Sequence, residues 1–318
     1  MKEIVCISGK GGTGKTSLTA AIATLASEQG RAVFADCDVD AADLHLIFRP
    51  VSTEKNEFIS GKIAAIAQDR LVHTGPSNRY QSASLDHDLA TTCVELCRFG
   101  AIRHSAEGIR YDPLSCEGCG VCVHCCPESL FRFEPRRCGD WYVSDSRFGP
   151  LVHAALDPRA ENSGKLVTTV RQNAKRIARE TNAELILVDG SPGTGCPVIA
   201  SITGADAVLI VTEPTLSGQH DLERVAALAR HFRVPASVCI NKADINPEQT
   251  DSMRAWCLRN GIQCAGTLPW NPTATAAQIR GLSIIEYARL CREEDALRLA
   301  EAVHSIWENI CQLKRSLV

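Results

Sequence analysis

The chain has 318 residues, 45% of them hydrophobic and 22% charged. That balance excludes disordered, collagenous and coiled-coil classes and leaves room for about two domains, or one large domain with an insertion. Basic and acidic residues number 34 and 37, a net charge of −3, so composition offers no electrostatic case for a nucleic-acid partner. No stretch reaches the ~18 to 20 apolar residues of a membrane span. Met1–Cys6 runs into apolar sequence without a charged-then-apolar leader, so a cytoplasmic location without stable membrane anchoring is expected.

In chain order, Ile4–Ile7 predicts a short buried strand, followed by a glycine run and an alanine-rich helix from Lys15 to Ser27. Arg31–Ala35 predicts the next strand. Apolar runs resume at Leu185–Val188, Ala207–Val211 and Ala236–Ile240, with helical patterns between them. Continuous apolar runs alternating with helices predict strands buried on both faces, hence a doubly wound, mostly parallel α/β sheet. From Thr53 to Gly149 the pattern breaks: residues 69–92 are polar and loop-like, and a cysteine-rich stretch follows. The expected organisation is a first part at 1–52, an insertion at 53–149 with its core near 86–136, and a second part at 150–318. Glu293–Arg315 predicts a final helix with Leu297, Ala300, Val303, Ile306, Trp307 and Ile310 on one side. Its mixed charges favour a packed core helix over a membrane-surface one.

The glycine run matches the phosphate loop G-x-x-x-x-G-K-[ST] through Gly9, Gly14, Lys15 and Thr16, between a strand and a helix. Glycine lets backbone N–H groups turn inward around phosphates, and the helix adds its positive end. Gly9, Gly11, Gly12, Thr13, Gly14, Lys15, Thr16 and Ser17 form the expected nucleotide loop, with Lys15 at the β and γ phosphates and the Thr16 hydroxyl on Mg²⁺. Gly9, Gly11 and Gly14 also satisfy the dinucleotide pattern G-x-G-x-x-G, with Asp36 downstream. There, however, Lys15 and Thr16 would be buried without purpose, whereas a triphosphate uses both. ATP or ADP with Mg²⁺ is the expected ligand. Asp189 ends an apolar run, where it would hold the magnesium through water, and the glycine-rich turn Gly190–Gly195 follows. A carboxylate of the Asp36–Asp43 turn would orient the attacking water. Asn241, Lys242 and Asp244 look like a base-recognition loop, and Pro214 is placed with them at the nucleotide.

Lys10 adds a second lysine inside the loop. The resulting Gly-Lys-Gly-Gly-x-Gly-Lys-Thr signature resembles that of the MinD, ParA, Mrp and nitrogenase-iron-protein superfamily of P-loop ATPases, over about two thirds of the chain. The resemblance implies ATP hydrolysis, with Asp38 positioning water and contributing with Thr16 and Asp189 at the magnesium. It also implies an ATP-sandwiched homodimer, or a heterodimer with a paralogue, in which Lys10 reaches the partner's phosphates. Phe148–Ala154 and Asn162–Val167 resemble the connector of ferredoxin-inserted MinD-type ATPases, although Ser163 capping the next helix would suffice to explain the second stretch.

Sixteen cysteines stand out, five of them between Cys116 and Cys126. In a reducing compartment such a cluster predicts metal rather than disulfides. Cys116-x-x-Cys119-x-x-Cys122-x-x-x-Cys126-Pro127 is the bacterial ferredoxin run. Zinc would use two separated C-x-x-C pairs, and the second pair is missing. Cys93 and Cys97 repeat Cys122 and Cys126 at an offset of 29, but the same offset from Cys116 and Cys119 lands on His87 and Ala90. Under the crossed-ligand rule of two-cluster ferredoxins, one site keeps Cys97, Cys116, Cys119 and Cys122. The other is degenerate, with Cys93, Cys126 and, at most, His87 or Cys125. One [4Fe–4S] cluster is expected and a second is not; if the repeat is accidental, Cys126 replaces Cys97. Cys6 and Cys239 read as small core residues, and Cys257 with Cys264 does not form the C-x-x-C of Mrp-type scaffolds.

The expectation is therefore an Mg²⁺-dependent ATPase that couples nucleotide state to electron transfer through one cluster, with a redox or assembly protein as partner. The alternatives are a MinD-type positioning ATPase with a structural or sensory cluster, and an iron–sulfur or metallocofactor assembly ATPase.

Overall fold

The computed structural model describes residues 1–67, 71–73, 80–82, 87–106, 108–126 and 130–313; at 52, 71–73, 80–82 and 87 it describes the backbone only. The chain divides into two compact units, Met1–Asn56 with Gly139–Val318, and Glu57–Cys138. Residues 139–149 thus belong to the first unit, whereas the sequence reading ended the insertion at 149.

The first unit begins with β1 (Lys2–Ser8), α1 (Lys15–Gln29), β2 (Ala32–Asp36) and α2 (Leu44–Phe48). The chain leaves it within β3 (Ser52–Ile66) and returns within β8 (Phe131–Ser146). There follow β9 (Gly149–Leu156), α5 (Ser163–Glu180), β10 (Leu185–Pro192), α6 (Cys196–Ile202), β11 (Ala207–Thr212), α7 (Leu216–His231) and β12 (Ala236–Ile240). The unit ends with α8 (Pro247–Arg259), β13 (Gln263–Thr267), α9 (Thr273–Ile279), α10 (Ile284–Cys291) and α11 (Glu294–Cys311). Among the described residues the sheet runs β13-β12-β11-β1-β10-β2-β9-β8-β3. From β13 to β9 the neighbours are parallel, and β8 is antiparallel to β9.

Burial on both faces explains the near-continuous apolar strands. In β1, Ile4 and Cys6 join the core formed with α1, α10 and α11, while Val5 and Ile7 are equally buried on the opposite face. Helix α1 is buried from Leu18 to Ala26, which suits its small, apolar composition. Strand β1 lies between β10 and β11, yet its chain continues through α1 to β2 on the far side of β10. That reversal of strand order opens a crevice at the carboxyl ends of the strands, where ligands of open α/β sheets bind.

Two local expectations are corrected. In α11 the buried side chains are Ala296, Leu299, Val303, Ile306, Trp307 and Ile310, whereas Leu297 is 40% exposed. The buried stripe starts from Ala296 and Leu299, which continue the i, i+3, i+4 rows of Val303 and Ile306. Ser163 is the first residue of α5 rather than its cap. Asn162 precedes it at φ +73°, with no side-chain cap, and its carbonyl accepts from Lys165 and Leu166 N–H groups.

The second unit contains β4 (Leu71–His73), β5 (Tyr80–Ser82), α3 (His87–Leu96), β6 (Ile102–Ser105), β7 (Gly108–Tyr111) and α4 (Val121–Cys125). The antiparallel sheet is ordered β4-β5-β7-β6. The polar stretch expected to be loop over 69–92 gives way to α3 from His87 onward. Ala90, Cys93, Val94 and Cys97 recur at helical spacing and pack on the core of this unit.

Candidate nucleotide site and thiol hollow

In the first unit, β1 ends at Ser8 and the loop turns into α1 at Lys15. Gly14 precedes the helix at φ +87°, and a Cβ there would lie 2.4 Å from Asn241 Nδ2, so backbone and space both require glycine. The Asn241 amide donates to Thr13 O at 2.8 Å, pinning the loop to the end of β12.

Strand register places Asp189 beside Cys6 of β1 and Asp36 of β2. Lys15 Nζ lies 2.9 Å from Asp189 Oδ1 and 3.4 Å from Asp38 Oδ2. Thr16 Oγ1 donates to Asp189 Oδ2 at 2.7 Å and Thr19 Oγ1 to Oδ1 at 2.9 Å. Burial by itself would lower the Lys15 pKa, but the carboxylates of Asp189, Asp38 and Asp36 outweigh it and hold it raised. Burial pushes Asp38 upward, and pushes Asp36 well above the carboxylate range, where the Asp189 charge adds to it. Asp36 accepts from the N–H groups of Asp38 and Leu44, both at 3.1 Å, which ties the acidic turn to α2. An ammonium, a hydroxyl and two carboxylates thus converge at the strand ends. That is the set needed to bind phosphate oxygens and a divalent cation together.

Lys10 is held elsewhere. Its Nζ lies 2.6 Å from Glu213 Oε1 and donates to Ser217 Oγ at 3.2 Å. Glu213 also pairs with Lys242 at 3.1 Å, and Lys242 donates to Gly12 O at 3.3 Å. Burial alone would raise the Glu213 pKa; the two ammonium groups reverse that and hold it low.

A cleft of about 650 Å³ is lined by Gly11–Leu18, Asp38, Asp40, Asp43, Asn241 and Lys242, among others. Gly9, Lys10, Asp189, Pro214 and Asp244 fall outside its lining. Pro214 sits between Glu213 and the Thr215 cap of α7. The Asp244 carboxylate accepts from Trp270 N–H, so it braces the segment after β13 rather than facing the cleft. The sequence reading missed Trp270 and Gln278, which do line the cleft. The signal for Trp270 was an aromatic residue between Pro269 and Asn271 in a polar loop, and it is 57% exposed.

In the second unit, Cys97, Cys116, Cys119 and Cys122 line one small hollow together with Tyr111 and Phe99. Cys97 follows α3, Cys116 and Cys119 precede α4, and Cys122 lies within α4. Burial, and then the neighbouring sulfurs of Cys116, Cys97 and Cys119, push the Cys122 thiol up to about 11. Gly118 N–H donates to Cys116 Sγ at 3.4 Å and Arg136 to the Cys116 carbonyl at 3.3 Å. Tyr111 is 1% exposed, and its Oη has no hydrogen-bond partner among the described residues.

Cys93 and Cys126 lie outside the hollow's lining. They are buried in the core, and burial raises the pKa of both. Cys125 is exposed, and the side chain of His87 is outside the described residues. Among the described residues, no three His, Cys, Asp or Glu side chains are close enough to hold a single metal ion. The four thiols instead surround a hollow, an arrangement that suits one thiolate per iron of a four-iron cluster better than one tetrahedral ion. The hollow holds about 20 Å³, smaller than a four-iron cluster. Four soft donors and an unsatisfied phenol fit an iron–sulfur group chemically.

The fold and the first site define a P-loop nucleotide-binding protein. The chain belongs to the CobQ/CobB/MinD/ParA nucleotide binding domain family, whose model matches residues 4–284. Uncharacterized protein MJ0578 of Methanocaldococcus jannaschii is 31% identical over 245 residues, 77% of this chain and 79% of that one. Among solved structures, the cell division ATPase MinD of Pyrococcus furiosus superposes with a TM-score of 0.55 at 17% identity, covering 98% of this chain and 99% of that one. The septum site-determining protein MinD of Pyrococcus horikoshii, complexed with Mg-ADP, gives 0.54 at 15% identity, covering 98% and 96%. At such identities the two MinD structures carry the fold alone. No helix among the described residues is long and apolar enough to cross a membrane.

Proposed function

We propose that this protein binds and hydrolyses ATP with Mg²⁺ in the first unit, carries one [4Fe–4S] cluster in the second, and couples nucleotide state to electron transfer. The observation that carries the reading is the grouping of Cys97, Cys116, Cys119 and Cys122 around one hollow, in a chain whose Lys15, Thr16, Asp38 and Asp189 converge at a phosphate loop. Thr16 and Asp189 would hold the magnesium, and Asp38 would position the attacking water. Gly11–Ser17, Asn241 and Lys242 would hold the nucleotide. Lys10 would leave Glu213 and engage the phosphates of a second copy, or of a paralogue, in an ATP-dependent dimer. Bound at the four cysteines, the cluster would supply one-electron chemistry. Its binding displaces thiol protons, which the raised Cys122 pKa makes costly at low pH. The ferredoxin-like character of the insertion and a cytoplasmic location belong to this same reading.

The test is anaerobic purification followed by assay of iron, acid-labile sulfide and ATP turnover. The reading expects about four irons and four sulfides per chain, with Mg²⁺-dependent ATPase activity. Iron absent from anaerobically prepared, reconstituted protein would overturn the cluster, and turnover independent of Lys15 would overturn the ATPase. One rival, consistent with a fold shared with MinD of Pyrococcus furiosus, is a positioning ATPase with a structural or sensory cluster. ATP-dependent sedimentation with anionic liposomes would support that rival.

A further inference from the structure

We propose that Tyr111 is a positioning residue whose phenol O–H donates a hydrogen bond to the sulfur shell of the cluster, holding the reduction potential up. The inference rests on the cluster reading above and concerns a residue outside the thiol motif.

Tyr111 ends β7, paired with Ile102 of β6. Its ring packs edge-on against Phe131, with centroids 5.8 Å apart and planes at 66°. The residue is 1% exposed, it lines the same hollow as the four cysteines, and its Oη has no partner meeting hydrogen-bond geometry among the described residues.

A buried hydroxyl without a partner is destabilising, and phenylalanine would fill the same space without that cost. The hydroxyl therefore makes physical sense when something in the hollow accepts from it. Cluster and thiolate sulfurs are such acceptors, and they grow more negative on reduction. A fixed O–H dipole aimed at them stabilises the reduced state and raises the potential.

The experiment is Tyr111→Phe in the full chain under anaerobic conditions, reading iron and sulfide per chain and the midpoint potential by EPR-monitored titration. The expected result is an unchanged cluster content and a midpoint shifted to more negative potential. A fully loaded variant with the wild-type midpoint would overturn the proposal. Absence of iron from the wild type would instead overturn the cluster reading, so the two failures are distinguishable. Should Tyr111→Phe fail to hold its cluster, 3-fluorotyrosine replacement of the chain's four tyrosines decides in loaded protein. Fluorination strengthens the phenol as a donor, so the midpoint should rise; no rise would overturn the proposal.

Discussion

The phosphate loop and the thiol hollow are both built from closely spaced residues, but they are finished differently. At the loop, every charge the site would use already has a protein partner: Lys15 has Asp189 and Asp38, and Asp189 has Thr16 and Thr19. Lys10 has Glu213. At the hollow, four thiols line one small space and a buried phenol has no hydrogen-bond partner among the described residues. A network that closes on itself is preorganised and is expected to bind by exchanging partners. A donor set that does not close is expected to be completed by what it holds. The following tests would break or sharpen that contrast.

The largest effect is expected at Lys15. Lys15→Ala removes the phosphate contact and leaves Asp189, wholly buried, without its counter-charge. Breaking a buried pair from one side costs about 3–5 kcal/mol. Calorimetry with MgATP should detect no binding, and urea unfolding should show the lost stability in the apo protein. Unchanged stability would mean that the two threonine hydroxyls alone satisfy Asp189.

At the hollow, Cys97→Ser should lose most of the iron and Cys93→Ser should keep about four atoms per chain. The two residues sit on the same short stretch, so global damage would affect both alike. Equal loss from both would move the cluster to a ligand set that includes Cys93 and Cys126.

Lys10→Ala should leave MgATP affinity intact and lower turnover, on the order of 10³-fold if the lysine acts in trans as charge-stabilising residues do in related phosphoryl transfer. Steady-state ATPase kinetics at several protein concentrations would check it. Wild-type turnover in this variant would remove the sandwich dimer from the account.

Away from both sites, His153 should affect stability alone, and only in acid. It stacks between Tyr142 and His45, bonds Ser144 at 3.0 Å, and is pushed down to about 4, first by burial and then by His45. A histidine kept neutral in the fold protonates only in the unfolded chain below pH 6.5. Its contribution is therefore complete above pH 6.5 and is lost as pH falls towards 4, by about 1.4 kcal/mol per pH unit. Denaturation of wild type and His153→Gln across that range should give converging stabilities as the pH falls. Parallel curves would place the proton elsewhere.

The same contrast explains what could be read before the structure. Gly9–Thr16 and Cys116–Cys126 are contiguous, so spacing along the chain reports proximity in space, and the alternating apolar runs report the sheet. Glu213, Trp270 and Tyr111 reach their sites from the turn after β11, the segment after β13 and β7, with no local pattern to announce them. Tyr111 alternates in its strand as any core residue would, and only its unsatisfied hydroxyl sets it apart. The tie between the Asp244 carboxylate and Trp270 N–H was not legible, since it joins chain segments 26 residues apart. In α11 the periodicity was legible, but its phase was not: Leu297 and Leu299 fit a helical stripe almost equally until packing selects Leu299.

The central claim, that nucleotide state and cluster are coupled, is tested most directly by EPR of the dithionite-reduced protein with and without MgATP. The account predicts a cluster spectrum whose line shape or midpoint changes when MgATP binds, and a Lys15→Ala protein in which it does not. An identical spectrum and midpoint in both conditions, with four irons present and ATP bound, would contradict it.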